Sequence, residues 1–162
     1  MKLLKSLIPL FLIAGAVIFY FLFIKNGNIN VMPKTQTPQT PFVTIKNIDI
    51  EVSVARTPSE KEHGLSGTER LGEYQGMIFE FIPKSKPNFW MKDMLIPLDL
   101  IWIDGGKIVK IDKNVPNPAP DTPDARLELY YPNFPIDYVL EVNSGFCDKY
   151  GIVVGDSVTF NL

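Results

Sequence analysis

Between Phe89 and Asp104, two tryptophans, one lysine and three aspartates are set into a run that is otherwise almost continuously apolar. A charge inside such a run must be paired, hydrogen-bonded or used, because an unpaired buried carboxylate costs several kcal/mol. Two arrangements meet that demand. One is a strand held in register by an internal ion pair; the other is a polar cleft cut into an apolar sheet.

The surrounding pattern favours strands. Ile48 to Val54 alternates apolar and polar residues, the period of a half-buried strand. Phe42 to Ile45 pairs with it across a tight Lys46-Asn47 turn. Further strands are read over Met77–Phe81, Asn88–Met91, Leu98–Ile103, Lys107–Asp112, Tyr138–Val142 and Ser157–Phe160, with Asp104-Gly105-Gly106 closing a hairpin. Two short helices interrupt them. Thr57-Pro58-Ser59-Glu60 matches a capping box and Gly64 ends the first helix. Ser144 to Tyr150 reads as the second, capped by Ser144 and stopped at Gly151. The expectation is a β-rich α+β domain: a small, mostly antiparallel, barrel-like sheet with two short helices.

Alternation sorts the chemistry. Asn88, Trp90 and Lys92 share one face of their segment, with Phe89 and Met91 on the other. Asp99 shares a face with Ile101 and Ile103, opposite Trp102, and Glu141 lies with Val139 and Asn143. Three readings follow. Lys92 pairs with Asp99 or Glu141 inside the sheet and locks its register. Alternatively, Trp90 is a stacking platform beside hydrogen-bonding carboxylates that hold a sugar or another small polar ligand. In the third, Asp99 and Glu141 form the acid/base pair of a hydrolase. Under the binding reading, alanine at Trp90 or Asp99 abolishes ligand binding and spares the fold.

Other chemistries lack support. Cys147 is the only cysteine and His63, in a helix-like segment, the only histidine, so no disulfide forms within the chain and no thiol–base pair is indicated. Only an all-oxygen calcium site is open; Asp121 and Asp124, in the excursion marked by Pro116, Pro118, Pro120 and Pro123, match no standard loop. No metal or cofactor is expected.

The N-terminal part differs in kind. Leu7 to Ile24 carries no charge over eighteen residues, roughly 27 Å of helix, close to the hydrocarbon thickness of a bilayer. Lys2 and Lys5 precede it and Lys25 follows, so the expected topology is a single-pass signal anchor with residues 1–6 and the N-terminus in the cytoplasm. Residues 25–41, rich in Pro and Thr, read as a flexible linker. The domain from residue 42 to 162 then lies outside the cell membrane. All eighteen acids follow Pro41 with twelve of the sixteen bases, a balance of −6. Such a surface repels a phosphate backbone, so nucleic acid is not an expected partner.

Arg56-Thr57-Pro58 with Gly64-Leu65, Gly76 to Phe79, Phe89 to Lys92, Ile96 to Asp99, Asn114-Val115-Pro116, Val139 to Glu141 and Gly151 to Asp156 occur in that order. Together they resemble the domain of unknown function 192 family from about Ile45 to Phe160. The resemblance implies a small, β-rich, often exported domain with no settled activity, and it sets Trp90, Lys92, Pro97, Asp99 and Glu141 on the family's pattern. Asp93 stands where that pattern usually has asparagine, His63 where arginine is common, and Ser66 where methionine is common. With Asn114 of the Asn-Val-Pro element, the expected ligand-binding residues are Trp90, Lys92, Asp99, Glu141 and Asn114. The expected ligand is a small polar molecule or an envelope glycan.

Overall fold

The computed structural model describes residues 40–162. The expected anchor and nearly all of the expected linker lie outside the described residues. Among the described residues no helix is long and apolar enough to cross a membrane.

Seven strands form one sheet: β1 (Phe42–Ile45), β2 (Ile48–Ala55), β3 (Gln75–Ser85), β4 (Leu98–Asp104), β5 (Lys107–Val115), β6 (Ile136–Asn143) and β7 (Val158–Asn161), in the order β5-β4-β6-β3-β2-β1-β7. All pairings are antiparallel except β2 with β3, whose connection carries helix α1 (Pro58–His63). The sheet curls until its edge strands touch at one end. There Lys107 bridges Ser157, Ile108 donates its N–H to Asp156 O at 3.0 Å, and Gly155 donates to Ile108 O at 2.8 Å. The result is a half-closed barrel. Helix α2 (Phe146–Lys149) lies between β6 and β7 in the chain.

Local chemistry explains the elements near the site. Lys46 and Asn47 both take positive φ (49° and 65°), the two-residue geometry that matches the twist of a hairpin. The Thr57 side chain accepts from the Glu60 N–H, and the Glu60 carboxylate accepts from the N–H groups of Thr57 and Arg56, each at 2.8 Å. Gly64, at φ 51°, ends the helix. Thus α1 stops abruptly and presents its last turn to β3.

Two apolar clusters divide the sheet by face. Val43, Ile50, Ile78, Ile101, Leu140, Ile108 and Val158 come from all seven strands and fill the barrel interior, with Phe146, Cys147 and Ile152 joining them. The second cluster lies on the opposite face of β3, β6 and β4 and includes Met77, Phe79, Leu100, Trp102 and Val139. Segment 86–97 and the loop before β6 close over it: Phe89 and Tyr130 exchange backbone hydrogen bonds at 2.8 and 2.9 Å. The Phe89 ring stands edge-on to Phe79, Phe81 and Trp102. β4 is therefore buried on both faces from Leu98 to Ile103, which accounts for the long apolar run.

Two expectations are corrected. Asn88–Met91 is not a ladder strand. It alternates buried and exposed side chains, but its sole strand-like contact among the described residues is the Phe89–Tyr130 bridge. The second helix is shorter than expected, and its N-cap is Gly145 at φ 80°, with no side-chain cap from Ser144.

Close approach of β3 and β6 depends on Gly76. A Cβ there would lie 2.5 Å from the backbone oxygen of Glu141. Gly76→Ala is expected to destabilise the domain by about 1–3 kcal/mol through overpacking, measured by urea unfolding.

Candidate functional site

Glu141 is directly opposite Met77 on β3 and Leu100 on β4. Its side chain therefore points into the second cluster, away from the barrel interior. It is only 5% exposed, and its Oε2 is buried with no hydrogen-bond partner. Burial alone pushes its carboxyl up to about 8, because removal from water penalises the charged form. At neutral pH it is mostly the uncharged acid.

A cavity of about 230 Å³ reaches this carboxyl from the surface. Glu141 and Phe79 lie deep, Phe81, Phe89 and Trp90 add aromatic wall, and Lys61, His63 and Lys92 stand toward solvent. The end of α1 forms one side and segment 87–94 the other. Trp90 is 39% exposed. The Lys92 ammonium lies 5.5 Å from the centre of the Trp90 ring, and that of Lys61 lies 4.5 Å from the centre of Phe81. Lys92 is held by Asp124 at 2.6 Å, and Ser66 donates to its backbone oxygen at 2.9 Å.

Trp90, Lys92 and Glu141 thus meet in one cavity. Asp99 and Asn114 do not join them. Asp99 is opposite Val142, one residue out of step with Glu141, so the two carboxylates leave the sheet on opposite faces. Asp99 is fully buried, and its Oδ1 accepts from the N–H groups of Asn114 (2.8 Å) and Gly145 (3.2 Å) while Oδ2 accepts from Cys147 (2.9 Å). It supplies from β4 the cap that Ser144 was expected to give α2. The Ser144 hydroxyl donates instead to Asn114 Oδ1 at 2.8 Å. Asn114 sits at φ 55°, a backbone region that asparagine tolerates better than most residues.

The expected Asp99/Glu141 acid/base pair is corrected by this geometry, since groups on opposite faces cannot flank one bond. The expected Lys92 pair inside the sheet is corrected too: its partner is Asp124, at the surface. Phe79, Phe81 and Lys61 are pocket residues that the sequence reading missed. The Phe79–Phe81 alternation on the face of Met77 was the available signal. Among the described residues, no group of three or more His, Cys, Asp or Glu side chains is placed to hold a metal ion.

The family model for the domain of unknown function 192, described as Uncharacterized ACR, matches residues 42–160. Two solved structures are similar. A protein of unknown function from Novosphingobium aromaticivorans is 30% identical with a TM-score of 0.64, the match covering 74% of this chain and 82% of that one. A proposed transcription regulator from Sinorhizobium meliloti is 28% identical with a TM-score of 0.64, covering 74% and 91%. No curated protein matches the chain.

Proposed function

The chain belongs to the domain of unknown function 192 family, and from that premise we propose that its domain binds a small polar ligand or cell-envelope component in the Glu141 cavity. One observation carries the reading. A buried carboxyl without a partner stands at the foot of an open, aromatic-walled pocket. A fold maintained for packing alone gains nothing from such a group, whereas a ligand that donates to it removes the cost. Trp90 at the mouth offers a ring face for stacking, and Lys92, bonded to the exposed Asp124, offers a charge that can be shared.

Residues 7–24 would hold this domain at the cell membrane, with the N-terminus in the cytoplasm and the pocket outside. The uncharged run and its flanking lysines support that topology. The −6 balance of the segment after Pro41 argues against a nucleic-acid partner for this chain.

The test is a fragment screen by saturation-transfer NMR against the full chain, using small amines, amides, sugars and carboxylates. Trp90→Ala is expected to weaken any genuine pocket ligand about tenfold, the worth of one aromatic contact. As a partly exposed side chain, it should change stability by less than about 1 kcal/mol. Ligands that bind Trp90→Ala and Glu141→Gln as tightly as the native chain would end the proposal.

A further inference from the structure

We infer that the Glu141 pocket takes a primary ammonium group carried on an apolar stem, with the Glu141 carboxylate as its counter-ion; this rests on the pocket being a ligand site. Three features select that chemistry over a neutral or anionic ligand.

The first is what Glu141 lacks. Its Oε2 is buried without a hydrogen-bond partner, while the Lys92 ammonium is paired with Asp124 and that of Lys61 lies over Phe81. Once ionised, the carboxylate is an acceptor in want of a donor, and a cation is the strongest available in a site of low dielectric.

The second is the wall. Four aromatic rings line the cavity, and two of them already carry ammonium groups at its rim: Lys61 over Phe81 and Lys92 over Trp90. Ring faces attract cations. Of these two rim cations, Lys92 is offset by its bond to Asp124 and by the negative charge of Glu62 close by.

The third is the scarcity of polar partners at depth. Besides Glu141, the buried residues that line the cavity are Leu65, Phe79, Phe89 and Met94. A sugar would leave most of its hydroxyls unpaired there. An ammonium tip on an alkyl stem brings three N–H donors to the carboxylate and no polar group along the rest of its length. The same tip occurs on a free alkylamine and on a lysine side chain, and the two sources are separable.

The experiment titrates the full chain with n-pentylamine, Nα-acetyl-lysine amide, 1-pentanol and pentanoate from pH 5 to 9, following tryptophan indole signals by NMR. Because the amine binds the ionised carboxyl, its affinity should tighten about tenfold per pH unit from pH 5 to 7 and level off near 8. Glu141→Gln should weaken the amine at least about tenfold at pH 8 and leave pentanol unchanged. Tighter binding of pentylamine assigns a free amine, and tighter binding of the lysine derivative assigns a lysyl side chain; both support the inference. Pentanol or pentanoate matching the amines at pH 8 would overturn the ammonium assignment and leave the pocket reading standing. If no probe shifts the Trp90 indole signal, both fall.

Discussion

Glu141→Gln is expected to be more stable than the native chain at pH 8, with the difference vanishing near pH 4. The carboxyl titrates at about 8 in the folded domain, and near 4.3 in an unfolded chain. Below the lower value both states hold the proton and the group is neutral to stability. Between the two values the unfolded state ionises while the folded state does not, so the folded state binds more protons. Stability therefore falls as pH rises through that window and levels off above pH 8. At about 1.36 kcal/mol per pKa unit, the full loss is roughly 5 kcal/mol. Gln has the same shape and cannot ionise, so its stability lacks this slope. Groups that titrate identically in both proteins cancel in the difference. Urea unfolding of both at pH 4, 6 and 8 reads it directly, and a difference independent of pH would mean that Glu141 is solvated or paired.

Asp99→Ala is expected to leave the domain largely unfolded. The substitution removes the acceptor of three backbone N–H groups, those of Asn114, Gly145 and Cys147. Each buried donor left unsatisfied costs about 1–3 kcal/mol. Together they approach the whole stability of a small domain, about 5–15 kcal/mol. Asp99→Asn keeps Oδ1 for Asn114 and Gly145 but sets an amide N–H₂ against the Cys147 N–H, so its stability should fall between the other two. Chemical denaturation with far-ultraviolet circular dichroism ranks the three proteins. Native-like stability in Asp99→Ala, with loss of a ligand alone, would restore Asp99 to a binding role.

These two carboxylates mark the boundary of what the sequence discloses. Period-two alternation assigned each to its neighbours correctly: Asp99 with Ile101 and Ile103, and Glu141 with Val139. Alternation cannot say which faces of two strands coincide, because that depends on register. Here the pairing of Asp99 with Val142 decides it. Short-range chemistry was legible for a similar reason. The Lys46-Asn47 turn and the Thr57 capping box involve residues within a few positions of each other, and both form.

Long-range partners were not legible. Asp99 reaches Gly145 and Cys147, 46 and 48 positions away, and takes the place of the local cap expected from Ser144. Lys92 reaches Asp124 across 32 positions. The pocket draws on α1, β3, the segment around Trp90 and β6. No single stretch of sequence carries that constellation, although Trp90 and Glu141 stood out as polar or amphipathic residues set among apolar ones.

The most direct measurement is a pH titration of the Glu141 carboxyl carbon by NMR in the full chain, assigned through Glu141→Gln. A midpoint near 8 is predicted, from a carboxyl held out of water at the foot of the pocket without a partner. A midpoint near the ordinary 4.3 would mean that water or a donor already satisfies it, and would remove the ground for a ligand site there.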